Sequence, residues 1–191
     1  MKKSLLFAVL LLSAGVLFAQ GTFAGNIRYD LVIKTKTNIT TQKVLLKNND
    51  MKIITTAKDE QGKTSTTITY ILNSKNIMYV YLTAENLAIK TKLDPAKKSD
   101  PPMQFKPGGK KIGTETIDGK VCNIYLYPKK AFGIETKMWI WRDKKIPVKT
   151  ETEFTTTEYK NISFEDIPSS EFELPKGVEI TEMKFKEIVG Q

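Results

Sequence analysis

Glu151 and Glu153 in "IPVKTETEF" stand two residues apart, a spacing that puts both carboxylates on one face of a strand. Two carboxylates so placed can share general-acid and general-base work. On a strand the same spacing more often marks a solvated edge, and the rest of the chain offers the pair no help. Histidine is absent and cysteine occurs once in 191 residues. That removes the imidazole base, the Ser-His-Asp triad and the commonest metal ligand together, and it leaves a zinc site with carboxylates only. Cys122, the single cysteine, cannot form an intrachain disulfide. It alternates with Ile124 and Leu126 in "VCNIYLY", as a buried thiol serving as a small hydrophobe does. The chain is therefore expected not to be an enzyme, with no catalytic residue, metal or cofactor assigned.

The chemistry that remains is apolar contact. "KMWIW", residues 137–141, carries both tryptophans. On a strand, Met138 and Ile140 share one face while Trp139 and Trp141 share the other, so both faces are apolar. "IMYVYL" and "VCNIYLY" are apolar or aromatic on both sides in the same way. Such strands are covered twice or border a surface awaiting a partner. A curled sheet supplies one arrangement: a concave groove on one side, and Tyr79, Tyr81, Trp139 and Trp141 among lysine stems on the other. The residues expected to line the groove are Tyr29, Leu31 and Ile33 near the start, Tyr70, Leu72, Met78, Val80 and Leu82 in the middle, and Ile124, Leu126, Met138 and Ile140 later. A core packed solid is the alternative.

The elements that must position these side chains are strands. "NIRYDLVIK" sets Ile27, Tyr29, Leu31 and Ile33 against Asn26, Arg28 and Asp30, the alternation of a half-buried strand. Runs rich in Thr, Ile, Val and Tyr recur along the chain, separated by short polar turns such as Asn48-Asn49-Asp50, Asn73-Ser74-Lys75 and Asp118-Gly119. Successive strands should pair as antiparallel hairpins. The expected fold is mostly β: a curved antiparallel sheet of roughly ten strands forming an incomplete half barrel, with little helix. "DIPSSEFELPKGVEI" reads as a turn or a single helical turn at Pro168 to Glu171, then a last strand entered through Pro175 and Gly177.

One segment breaks the rhythm. "DPAKKSDPPMQFKPGGKK", residues 94–111, holds four prolines, two glycines and five lysines, too long for a hairpin turn. Met103 and Phe105 are its large apolar residues, and a flap pinned over the groove by them stands beside a solvated loop as readings.

The chain begins "MKKSLLFAVLLLSAGVLFAQGTFAG", with Lys2 and Lys3 ahead of an apolar run from Leu5 to Phe18 and small residues after it. This is the layout of a secretory signal peptide. Cleavage after Ala19 or after Ala24 fits, and Ala19 follows the run directly. The expected organisation is a signal peptide at 1–19 and one β domain at 20–191, periplasmic, without a cysteine near the junction to accept a lipid. Lys and Arg exceed Asp and Glu by 30 to 21, a formal +9, or +7 once Lys2 and Lys3 are removed. Export argues against nucleic acid as the partner of this excess. Anionic headgroups suit it, with Lys97, Lys98, Lys110 and Lys111 at the groove mouth, unless these are plain solvated loop residues.

Three stretches resemble the LolA/LolB superfamily of periplasmic lipoprotein carriers, and more closely the outer-membrane lipoprotein-sorting and secreted proteins of that fold. "YILNSKNIMYVYL" looks like the family's strand, turn, strand element; "KMWIWRDKKIPVKTETEF" looks like its apolar hairpin; "YKNISFEDIPSSEFELPKGVEI" looks like its closing segment, ending in "FELPKGVEI". The resemblance spans residues 66–93 and 112–180. It implies an incomplete antiparallel barrel whose concave surface binds acyl chains under mobile lids. Two features depart from the carriers: "NIRYDLVIK" stands where they have an N-terminal helix, and the proline-rich 94–111 segment stands where they have lid helices.

Two functions follow. One is a periplasmic binding or carrier protein for a lipid, an acylated protein or a similar amphiphile, with transient contact with a membrane surface compatible with such cargo. The other is a non-enzymatic envelope interaction or sensing module that uses the same fold to bind a protein partner.

Overall fold

The computed structural model describes residues 25–58, 62, 64–93 and 108–183. Residues 1–19, expected to be a signal peptide, Lys97 and Lys98, and Met103 and Phe105, expected to pin a flap, lie outside the described residues. Strands dominate: β1 (Asn26–Lys34), β2 (Ile39–Lys47), β3 (Asp50–Lys58), β4 (Thr64–Leu72), β5 (Ile77–Leu82), β6 (Leu87–Lys92), β7 (Lys110–Ile117), β8 (Lys120–Tyr127), β9 (Thr136–Trp141), β10 (Ile146–Glu151), β11 (Thr156–Ser163) and β12 (Glu179–Glu182). The described residues hold twelve strands where roughly ten are expected. Lys110 and Lys111 open β7, so the proline-rich connector ends before them.

All twelve strands form one open sheet in the order β12-β6-β5-β4-β3-β2-β1-β11-β10-β9-β8-β7. Two hairpin meanders, β1 to β6 and β7 to β11, are joined where β11 returns antiparallel to β1. Their turns place Asn48, Asn76, Asn86 and Asp118 at φ values of 54°, 54°, 50° and 47°, the left-handed region that short polar side chains tolerate. β12 departs from the antiparallel expectation, pairing in parallel with β6 (Glu179 with Leu87, Glu182 with Lys90). The reason is its route, because it arrives by a segment that crosses the sheet rather than by a hairpin. Among the described residues, β7 and β12 are the margins of this sheet.

Among the described residues, helix is confined to single turns. α1 (Lys129–Phe132) ends at Gly133 with φ 77°, and a 3-10 turn covers Ser169–Phe172, as the proline and serines around 168 suggest.

Register divides the sheet into two faces. Ile27, Leu46, Met51, Ile71 and Met78 stand side by side on one face; Arg28, Leu45, Lys52, Tyr70 and Tyr79 stand side by side on the other. The first face carries the largest buried cluster, whose members come from strands alone, as on the inside of a curled sheet. The second, outer face is crossed by residues 164–178. This strap lays Ile167, Phe172, Leu174 and Val178 over Leu45, Tyr70, Leu72 and Tyr81.

Candidate binding face

The inner face is built by period-two alternation, and its chemistry changes along the strands. At the end bearing the 48–49 and 73–76 turns, Ile27, Leu46, Met51, Ile71 and Met78 are between 0% and 7% exposed. The next row holds Tyr29, Val44, Ile53, Thr69 and Val80. The following row is Leu31, Gln42, Thr55, Thr67 and Leu82, with Gln42 Nε2 donating to Thr55 Oγ1 at 3.1 Å. Beyond it Ser65 is exposed. The face thus grows more polar and more open toward the 35–38 connection.

A further row carries it across the joint between the meanders: Tyr125, Met138, Thr150, Thr157, Ile33 and Thr40. Met138 and Ile140 cluster there with Tyr125 and Tyr127.

No Lys, Arg, Asp or Glu occupies an inner-facing position of β1–β6 or β8–β11. The outer face of the same strands holds Arg28, Lys43, Lys52, Lys90, Lys149 and Glu158. Tyr29 and Tyr159 meet on the inside with ring centroids 5.4 Å apart. Burial pushes the Tyr159 phenol up to about 12 and lifts Tyr29 well above its ordinary value, with the neighbouring Tyr159 adding to the latter. Both stay neutral across physiological pH, so the inside of these ten strands is an uncharged surface with hydroxyl and amide groups at one end, bordered by Lys111 on β7 and Glu179 on β12 in the inner phase.

The structure brings together Tyr29, Leu31, Ile33, Met78, Val80 and Leu82 of the expected lining, and places Met138 and Ile140 on the same face. It sets four others on the outer face. Tyr70 and Leu72 lie under the strap. Ile124 pairs with Trp139, and Leu126 shares its phase on β8. The cause is an ambiguous phase. Thr69 to Leu72 are all buried, so alternation on β4 gives no sign of which residues face in. On β8, Tyr125 and Tyr127 are as apolar as their neighbours. Val44, Leu46, Met51, Ile53 and Tyr159 belong to the inner lining and were not expected there, although the alternations of "KVLLK" and "MKII" carry the signal.

Trp139 and Trp141 lie opposite Met138, as alternation requires. Trp139 is sealed by side chains: Lys137 and Lys149 ammonium groups sit 4.5 and 4.3 Å from its ring centroid, and its Nε1 donates to Glu115 Oε2 at 2.6 Å. Trp141 also reaches the inner cluster, next to the register shift between Pro147 and Lys149 that bends β10. Cys122 is fully buried beside Trp139, and burial raises its thiol pKa. Of the glutamate pair, Glu151 contacts Lys149 at 3.3 Å while Glu153 is exposed in the following turn.

No family model and no curated protein matches the chain. Solved structures similar to it include the Pseudomonas aeruginosa MucA/MucB complex, at TM-score 0.48 and 10% identity over 76% of this chain and 54% of that chain. The Mycobacterium tuberculosis lipoprotein LppX gives 0.45 and 16% over 88% and 99%, and a DUF1329 family protein from Desulfovibrio piger ATCC 29098 gives 0.28 and 12% over 89% and 95%. The chain spans about half the length of the MucB-containing match. The open curved sheet itself is the architecture that the LolA/LolB resemblance implies.

Proposed function

We propose that the chain is an exported binding or carrier protein that holds the acyl chain of a lipid, a lipidated protein or a similar amphiphile on its inner face. The observation that supports this reading is the absence of Lys, Arg, Asp and Glu from the inner positions of the ten strands β1–β6 and β8–β11, in a chain of which 27% of residues are charged. Each buried CH₂ contributes about 0.8 kcal/mol, so a sixteen-carbon chain gives roughly 10 kcal/mol before the costs of ordering. No catalytic group is needed for such affinity.

Native purification followed by solvent extraction and mass spectrometry tests the reading. Co-purifying acyl lipid is the expected result, and lipid-free protein contradicts it. Thr66 and Thr67 sharpen the test, being adjacent on β4 and opposite in face. Thr67→Lys puts a charge inside and should release the lipid; Thr66→Lys puts the same charge outside and should not.

The second reading is a protein-binding module. It is favoured by the β7 margin, where six of eight residues are exposed and Ile112 is 46% exposed. An extended partner segment could add there as a further strand. A lipid-free partner complex would support it.

A further inference from the structure

The polar end of the inner face is also where the molecule shows its apolar tips. Ile39, Lys34, Thr156, Glu151 and Lys137 form one row across β2, β1, β11, β10 and β9. The connections 35–38, 152–155 and 128–135 project beyond that row. Ile39 is 65% exposed and Phe154 60%. Phe132, packed on Tyr127 at 5.1 Å between centroids, is 40% exposed. Phe154 is held out firmly, because the Thr152 hydroxyl accepts the backbone N–H groups of Phe154 and Thr155 at 3.2 and 3.0 Å. The opposite end offers Phe164, 38% exposed, which leans on Trp141 and lies under Lys144.

Charge complements these tips. Lys36, Lys110, Lys111, Lys129 and Lys130 are exposed at this end, against Glu85, Glu135 and Glu153. The far end is basic too, so charge alone does not choose between them; the apolar tips do.

We propose that this end docks on an anionic membrane surface, with Ile39 and Phe154 entering the headgroup layer and the lysines on lipid phosphates. A bilayer suits the pattern better than a protein does. Adjacent strands lie about 4.8 Å apart, so the tips are separated points among lysines and threonines. A protein interface needs a contiguous, shape-matched patch of about 800 Å² per partner, whereas an interfacial layer accepts separate apolar side chains beside cations. The proposal goes beyond the binding reading and stands on different residues. It also gives that reading a direction, since the inner face opens toward the same end.

Environment-sensitive fluorophores on the full-length variants Ile39→Cys, Phe154→Cys and Phe164→Cys test it, with the native thiol of Cys122 buried from the label. With phosphatidylglycerol/phosphatidylethanolamine vesicles, labels at 39 and 154 should shift to the blue and the label at 164 should not. Pure phosphatidylcholine vesicles should leave all three unchanged. Phe154→Glu should weaken sedimentation with anionic vesicles about tenfold, and Phe164→Glu should not. An equal shift at 164, no shift at either tip, or a shift that needs only higher protein concentration would overturn the proposal, the last in favour of a second copy as occupant. Co-extracted lipid measured on Phe154→Glu, expected at the wild-type level, keeps failure here distinct from failure of the groove.

Discussion

Tyr70 and Trp139 lie on the same outer face, and each is 2% exposed, but they are sealed by different means. Tyr70 is covered by chain: the strap brings Ile167 and Phe172 over it from a sequence distance of about a hundred residues. Trp139 is covered by Lys137 of its own strand and Lys149 of the adjacent β10, and tied to Glu115 of β7, two strands away in the same sheet. A wide open sheet exposes more outer surface than its own alternation can make polar. One half answers with a long-range apolar layer and the other with local charged side chains.

The comparison breaks most readily at the strap. It is held by Asn26 Nδ2 donating to Asp166 at 2.9 Å, Lys47 reaching Asp166 and the Ile167 carbonyl, and Asn86 Nδ2 donating to the Gly177 carbonyl at 2.9 Å. Its energy should nevertheless reside in Ile167, fully buried, and Phe172, 8% exposed. Phe172→Ala should cost about 3–5 kcal/mol and Ile167→Ala about 2–5 kcal/mol, measured as shifts in the urea midpoint. In a Trp141→Phe background, which removes the indole that Phe164 of the strap touches, the emission of Trp139 should stay unchanged, because that ring lies outside the strap's cluster. A cost below about 1 kcal/mol would mean that the strap rests on the face without sealing it.

The tryptophan half should give a smaller response. Glu115→Ala leaves the Trp139 N–H without its carboxylate, an expected loss of about 1–2 kcal/mol. Here the tryptophan emission should change while the strap stays in place. If Glu115→Ala proves as costly as Phe172→Ala, the two coverings do not differ in the way their geometry indicates.

The two halves were unequally legible in the sequence. The strand pattern, the hairpin turns, the single turn at 169–172 and the final strand all follow from period-two alternation and turn residues, which are local signals. The opposition of Met138 and Trp139 followed too. On β5, alternation placed Met78, Val80 and Leu82 correctly. Where a strand is buried on both sides, phase comes from its neighbours' register, and Tyr70, Leu72, Ile124 and Leu126 show the result. The strap's landing place was hidden for a related reason. "SSEFELP" announces a turn and an apolar anchor, but the surface that receives Phe172 is assembled from β2, β4, β5 and β6 together. The absence of charge on the inside of β1–β6 and β8–β11 can be seen in the sequence once the phase of each strand is known, and not before.

The smallest expected effect separates the strap's polar ties from its apolar layer. Lys52 Nζ meets Glu171 Oε2 at 2.7 Å, with the lysine side chain 12% exposed and the glutamate 44%. The hydrogen bond from Lys52 lowers the Glu171 pKa from 4.5, against the opposing effect of burial and with further help from the charges of Lys52, Arg28 and Lys43. A carboxyl whose folded pKa is depressed adds stability that is complete above its unfolded pKa and disappears as pH falls through the folded one. Solvent screening of the half-exposed carboxylate keeps the contribution below about 1 kcal/mol. Glu171→Gln should therefore be slightly less stable than the parent at pH 7, with the gap closing as pH falls below 4.5. Urea midpoints at pH 7 and in the acid range measure it. A gap that persists unchanged in acid would assign the cost to side-chain packing beside Phe172 and leave the ion pair with no role in holding the strap.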